Sequence, residues 1–190
     1  MRPIVFLGHC LGGLIIRQAL CFAKREGRYQ HIALATRSVM FFGTPHGGAK
    51  KKSLLDLARI QGLGRKAKMI DVLAKKTGDL TEIDEDFCRI AGNYTIVNFY
   101  QVQGQGRGNK ALVAKPNAVT ATDSESVGVN GDHLTMCQFK TREDNTFIKV
   151  CEVIDEAGKK ILHPSTAPHG NTVEVTTTVV FTVEGKGYGR

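Results

Sequence analysis

Near the amino end a cysteine stands inside Gly8-His9-Cys10-Leu11-Gly12-Gly13, with the apolar run Ile4-Val5-Phe6-Leu7 before it and a helical pattern after it. A strand running straight into a helix through Gly-x-nucleophile-x-Gly is the pattern of a nucleophile elbow. The central residue takes strained backbone angles there, so its neighbours two places either side must be tiny. Gly8 and Gly12 meet that demand, and Gly13 adds room. The turn aims the side chain outward at the positive end of a helix, where a thiolate is favoured. The backbone N–H of Leu11 then faces the oxyanion that forms when Cys10 attacks a carbonyl. A thiol needs less help to ionise than the hydroxyl that more often fills such a turn. The competing reading is a small core residue in a Gly-rich turn. The correct flanks and both glycines favour the elbow.

A nucleophile of this kind needs a base, which in this arrangement follows it in the chain with an acid in between. Six histidines are available. His133, in Gly131-Asp132-His133-Leu134-Thr135-Met136-Cys137, lies after the predicted strands and before the last predicted helix, the place for the base. His46 lies in Gly43-Thr44-Pro45-His46-Gly47-Gly48, after the second predicted strand and close to the elbow. It is the second candidate, and with His9 and Pro45 it is expected to line the substrate pocket. His9 sits within the elbow and points away from the nucleophile. His31, His163 and His169 have no such context.

The elements that must position these residues read as follows. Residues 3–8 form a buried parallel strand, because the apolar run leaves no polar face. Residues 11–25 form a helix in which Leu14, Ile15, Gln18, Ala19 and Phe22 recur at helical spacing. Residues 38–43 repeat the short apolar strand, and the Gly and Pro of 43–48 end it. From 50 to 91 the pattern is helical, first basic and then acidic, with breaks at Gly62, Gly64 and Gly78. Residues 94–100 are a third strand and 110–115 a fourth. Residues 142–160 make an amphipathic helix carrying Phe147, Val150, Cys151 and Ile154. The order predicts an α/β fold with a mostly parallel sheet of about four strands and flanking helices. Beyond about residue 161 the pattern becomes a strand alternation, Val173, Val175, Val179, Phe181 and Val183 against Glu174, Thr176, Thr178, Thr182 and Glu184. Residues 1–160 are thus one domain and 161–190 a β-prone linker or tail.

An apolar fraction of 42% fits a folded chain rather than a disordered one. Five scattered cysteines without a Cys-x-x-Cys pair predict reduced thiols in an intracellular, cytoplasmic setting, not a disulfide framework. No metal site or cofactor loop is legible; Gly185-Lys186-Gly187-Tyr188-Gly189-Arg190 lacks the spacing of a phosphate loop. The net charge of +8 is concentrated in Lys50, Lys51, Lys52, Arg65, Lys66, Lys68, Lys75 and Lys76. This reads as a solvated face or as contact with an anionic membrane surface. Nucleic acid is not expected, since no aromatics interleave the basic residues.

Residues 3–20, 36–48, 94–101 and 132–139 together resemble the α/β-hydrolase domain of lipase-like proteins. That group includes serine-active-site proteins linked to phospholipid remodelling, and fungal proteins that join such a domain to nucleotide-binding and repeat modules. The likeness covers residues 2 to about 155. It implies an acyl hydrolase acting on a small ester, a thioester or a lipid, with Cys10 in the serine's place and His133 as base. The family's acid maps onto Gln101, which can hold an imidazole but cannot offset its charge; Asp123, Glu125 and Asp132 are substitutes, Asp132 the weakest. In the full fold several strands precede the elbow strand, whereas here it starts at residue 3. The chain is therefore expected to be truncated, its outer edge bare, with an N-terminal half or a downstream nucleotide-binding domain as missing partners. The alternative is a weak or inactive hydrolase-like module used for interaction or signalling.

Overall fold

The structure, a computed structural model, describes residues 2–47, 78–102, 111, 113–120, 124–162 and 178–181. Its first strand, β1 (Ile4–His9), gives way after one residue to helix α1 (Leu11–Arg25). A 3₁₀ turn (Gly27–Tyr29) and the short helix α2 (Gln30–Ala35) lead into β2 (Thr36–Phe42). There follow α3 (Gly78–Ala91), β3 (Thr95–Gln101), α4 (Lys115–Ala118), β4 (Glu125–Val129), α5 (Asn145–Leu162) and β5 (Thr178–Phe181). The strands lie in the order β4-β3-β2-β1-β5, and every neighbouring pair is parallel. This is the α/β architecture expected.

The central strands are apolar on both faces because helices cover both. On β2, Val39 and Phe41 turn one way, into a cluster with Ile16, Leu20 and Cys21 of α1, Phe87 and Ala91 of α3, and Ile96. Met40 and Phe42 turn the other way, into a cluster with Val5, Leu7, Val97, Phe99, Met136 and the α5 residues Val150, Val153 and Ala157. There the rings of Phe42 and Phe99 stack 4.2 Å apart. Burying such side chains contributes roughly 1.5–3 kcal/mol apiece, so the two clusters fix where the strand ends, and hence the site, must lie.

Three expectations need correction. Helix α1 spans the residues predicted but buries the opposite face: Gly12, Gly13, Ile16, Arg17, Leu20, Cys21 and Ala23 are inside, whereas Ile15 and Phe22 are exposed. The apolar spacing of Ile15, Ala19 and Phe22 suggested the other side, because glycine and arginine carry no apolar signal. The fourth strand is Glu125–Val129, not 110–115. Pro116 opens α4, as suits its fixed φ, while β4, an edge strand with only Val129 fully buried, lacks an apolar run. Nor is the outer edge of β1 bare, since Ile4 to Leu7 pair with Thr178 to Phe181. The basic cluster from Lys50 to Lys76, Asp123, His163 and His169 lie outside the described residues.

Candidate active site

Cys10 is the single residue between β1 and α1, and its backbone sits at φ 52°, ψ −124°. Among the described residues it is the one non-glycine with positive φ, a conformation that costs on the order of 1–3 kcal/mol and collects at functional positions. The surroundings hold it there. Its N–H donates to the carbonyl of Phe42 at 2.9 Å. A Cβ on Gly8 would come within 2.7 Å of the Cα of Gly13, so only glycine lets the helix fold back so closely on its strand. On Gly13 a Cβ would fall 2.0 Å from Thr44 Oγ1, so glycine there lets the loop after β2 seat on α1. Gly12 is buried beside it. The N-cap residue Cys10 makes no side-chain cap to the first turn of α1, and no acidic residue lies in that turn. The Leu11 amide is thus one of four N–H groups that an α-helix start leaves without a partner in its own helix.

His133 lies on the turn after β4. Asp132 Oδ1 accepts hydrogen bonds from the amides of Leu134 (2.9 Å) and Thr135 (2.8 Å), which fixes that turn. The imidazole is 1% exposed. Its Cε1 and Nδ1 lie 3.0 Å from where a Cβ would stand on Gly43, a residue at φ +54°. Gly43 follows Phe42, the register partner of His9, so Cys10 and the ring of His133 both border Gly43. His9 adds a second ring: its Nε2 is 2.7 Å from the His133 carbonyl oxygen, so Nε2 carries the hydrogen and donates it, and the two imidazoles lie 4.8 Å apart. Among the described residues neither ring nitrogen of His133 has a hydrogen-bond partner. Burial first, then the neighbouring His9, pushes its pKa down to about 3, with Asp132 pulling the other way. At neutral pH the ring is an uncharged imidazole with a lone pair to accept a proton.

Gln101, the last residue of β3, is buried. Of the alternative acids, Glu125 pairs with Lys149 at 2.9 Å and Asp132 is engaged with its own turn. Pro45 and His46 are enclosed in the loop after β2. His46 is 4% exposed, with Nδ1 2.9 Å from Arg17 and its ring edge-on to Phe41 at 4.7 Å. It is therefore turned into the α1 side of the sheet, whereas His9 and His133 sit together on the other.

Arg17 and its partner Asp84 did not stand out in the sequence. The usable signal was position: Gly13, Ile16, Arg17 and Leu20 form one helical stripe, and an ionisable residue in such a stripe must find a buried partner. Beside β4 and α5 a cavity of about 320 Å³ is lined by Asn130, Gln138, Glu143, Asp144 and Thr146 among others. None of the predicted site residues lines it.

No family model matches the chain. Solved structures that share its fold include the Bacillus licheniformis lipase BlEst2 in mature form, at 19% identity and TM-score 0.52 over 71% of this chain and 60% of that one, and the same lipase in propeptide form, at 18% and 0.52 over 92% and 38%. These likenesses show a shared α/β fold. In sequence the chain is similar to Protein SERAC1 of Mus musculus, 24% identical over 161 residues, and of Homo sapiens, 24% over 165 residues. The matches cover 80% and 85% of this chain but 24% and 25% of those proteins, so the chain spans about a quarter of the relatives' length. Among the described residues no helix is long and apolar enough to cross a membrane, and no group of three or more His, Cys, Asp or Glu side chains is placed to hold a metal ion.

Proposed function

We propose that the chain carries the reacting centre of a lipase- or esterase-like acyl hydrolase, with Cys10 as nucleophile and His133 as base. The observation that carries this reading is the strained Cys10 backbone at the β1–α1 junction, tolerated only because Gly8 and Gly13 let strand, helix and loop close around it. The shared lipase fold supports it. Cys10 Sγ attacks the carbonyl carbon of an ester or thioester while its proton passes to His133, and the Leu11 amide receives the oxyanion. Collapse breaks the bond to the leaving alcohol or thiol, which takes the proton from His133 and leaves an acyl thioester on Cys10. A water, deprotonated by His133, then releases the carboxylic acid and restores the thiol. Gln101 stands where the resemblance puts the acid and adds no charge; in a triad, an amide in the acid's place can cost ~10⁴ in turnover.

One observation favours a second reading, a module of low activity that serves interaction or signalling. Cys10 is 0% and His133 1% exposed, and a ring held at about pKa 3 is a weak base. Turnover of p-nitrophenyl esters and acyl thioesters, with mass spectrometry of the trapped acyl-enzyme, separates the two. The hydrolase reading expects an acyl adduct on Cys10 and losses of about 10³-fold or more in Cys10→Ala and His133→Ala. A wild-type chain that forms no adduct, or a rate that Cys10→Ala leaves unchanged, establishes the second reading.

A further inference from the structure

Two turns down α1 from Cys10, the guanidinium of Arg17 is fully enclosed. A charge in that position needs partners, and three residues on two elements supply them to the outer guanidinium nitrogens and its face, while Nε has no hydrogen-bond partner among the described residues. Asp84 of α3 closes a short ion pair with Nη2, and its carbonyl oxygen lies 3.4 Å from the same nitrogen. The ring of Phe87, also of α3, lies under the guanidinium carbon at 4.8 Å. Nη1 points at His46 Nδ1, 2.9 Å away. A guanidinium can only donate, so Nδ1 is the acceptor and the neutral ring carries its hydrogen on Nε2.

His46 belongs to the turn on which the site is built. In that turn Gly43 borders the ring of His133, and Thr44 packs on Gly13 and reaches the Gly8 carbonyl at 3.5 Å. We propose that Arg17 is a positioning residue: acting through His46, it pins the turn of residues 43–47 to α1 and so sets where Cys10 and His133 stand relative to each other. Its consequence for catalysis rests on the hydrolase reading above, but the clamp itself does not. The charged groups around His46 are Arg17 from α1 and, behind it, Asp84 from α3. Phe41 of β2 and Asn98 of β3 face it without charge. Burial and the Arg17 charge hold the His46 pKa well below its ordinary value, as a ring committed to accepting from a cation requires.

The test is nitrogen NMR of the full chain labelled at histidine, with His46→Gln to assign the signals. His46 is expected to show the Nε2–H tautomer and no titration between pH 8 and 5.5. In Arg17→Gln the preference for the Nε2–H tautomer should be lost, and the His133 ring and Cys10 amide signals should move with it. Arg17→Lys, which keeps the charge but loses the fork, guards against a variant that fails to fold and should also shift the His133 signals. If the wild type hydrolyses esters, Arg17→Lys should lower kcat about 10- to 100-fold with KM little changed, the size of loss that a small misplacement of reacting groups causes. A wild-type His46 that titrates near pH 6.5 or carries its hydrogen on Nδ1 overturns the proposal. So do perturbations in both variants that stop at His46 and Asp84. Absence of hydrolysis in the wild type would sink the hydrolase reading and leave the clamp to be decided by the tautomer.

Discussion

On each side of the sheet a histidine is buried at the carboxyl ends of the strands, and the two are held in opposite ways. His46, on the side of α1 and α3, gives Nδ1 to a fully buried guanidinium that is itself neutralised by Asp84. His133, on the side of α5, lies among Gly43, Met136 and the ring of His9. Both are kept uncharged, His46 by burial and then by the Arg17 charge, His133 by burial and then by His9. The same protonation state thus has two meanings. A ring whose lone pair is already spent on a cation is scaffold. A ring kept neutral by burial and a neighbouring imidazole, with no hydrogen-bond partner on its nitrogens among the described residues, keeps its lone pair for a reacting proton. On this contrast rests the choice of His133 over His46 as the base.

The contrast breaks most visibly at the ion pair. Asp84→Ala leaves Arg17 enclosed without a counter-charge, and removing one partner of a buried pair costs roughly 3–5 kcal/mol. Because the Asp84 side chain is 37% exposed, the lower end, about 3 kcal/mol, is expected from urea unfolding. On the other side, Lys149 pairs with Glu125 at the surface, the two side chains 25% and 51% exposed, and Lys149→Ala should cost under ~1 kcal/mol. Equal losses in the two variants would mean that the two sides are not built differently.

Much of this was legible in the sequence where the constraint is steric. Only glycine fits at Gly8 and Gly13, so the elbow announces itself in one line of residues, and the strand and helix flanking it follow from continuous apolar runs. The His133 turn was found from chain order. What escaped was whatever depends on a neighbour far along the chain. The helical stripe it shares with Gly13, Ile16 and Leu20 hints that Arg17 is inside, but its partner Asp84, 67 residues later, comes to light only in the fold. Likewise β4 has almost no buried side chain to betray it, and the pairing of β5 with β1 is set by the topology of the whole sheet. The face of α1 was misread for a related reason: its inner stripe mixes Ile16 and Leu20 with glycines, an arginine and a cysteine, while Ile15 and Phe22 on the outer stripe carry as strong an apolar signal.

A second prediction sharpens the comparison through pH. The unfolded chain binds a proton at His133 below about pH 6.5, and the folded chain does so only below about 3. Between those values the unfolded state holds the extra proton. Stability is therefore full above pH 6.5 and declines as pH falls toward 3, by up to ~1.4 kcal/mol per pH unit from this residue. His133→Leu, which cannot titrate, should flatten that part of the acid arm in unfolding measured from pH 7 to 4, with His46 still contributing its own share. An acid arm of unchanged slope would show that His133 takes up its proton without unfolding, and the burial argument for its neutrality would fail.

The smallest expected effects come from two helical glycines, one on each side of the sheet. Replacing glycine by alanine inside a helix gains ~0.8–1 kcal/mol of intrinsic propensity, and the sign of the outcome depends on what the new methyl meets. At Gly158 of α5 it meets no described residue within 4 Å, so Gly158→Ala should stabilise by about the full propensity gain. At Gly13 it meets Thr44 Oγ1 at 2.0 Å and Cγ2 at 2.6 Å. Overpacking of that kind costs roughly 1–3 kcal/mol, so Gly13→Ala should leave the chain less stable on balance, with part of the loss recovered in Gly13→Ala/Thr44→Ala. The same Thr44 belongs to the turn that carries His46 and borders His133, so a methyl at Gly13 should also shift the Cys10 amide signal, which Gly158→Ala leaves in place. Were Gly13→Ala to stabilise as much as Gly158→Ala, the loop would not be seated on α1, and the tight closure of strand, helix and loop around Cys10 would lose its support.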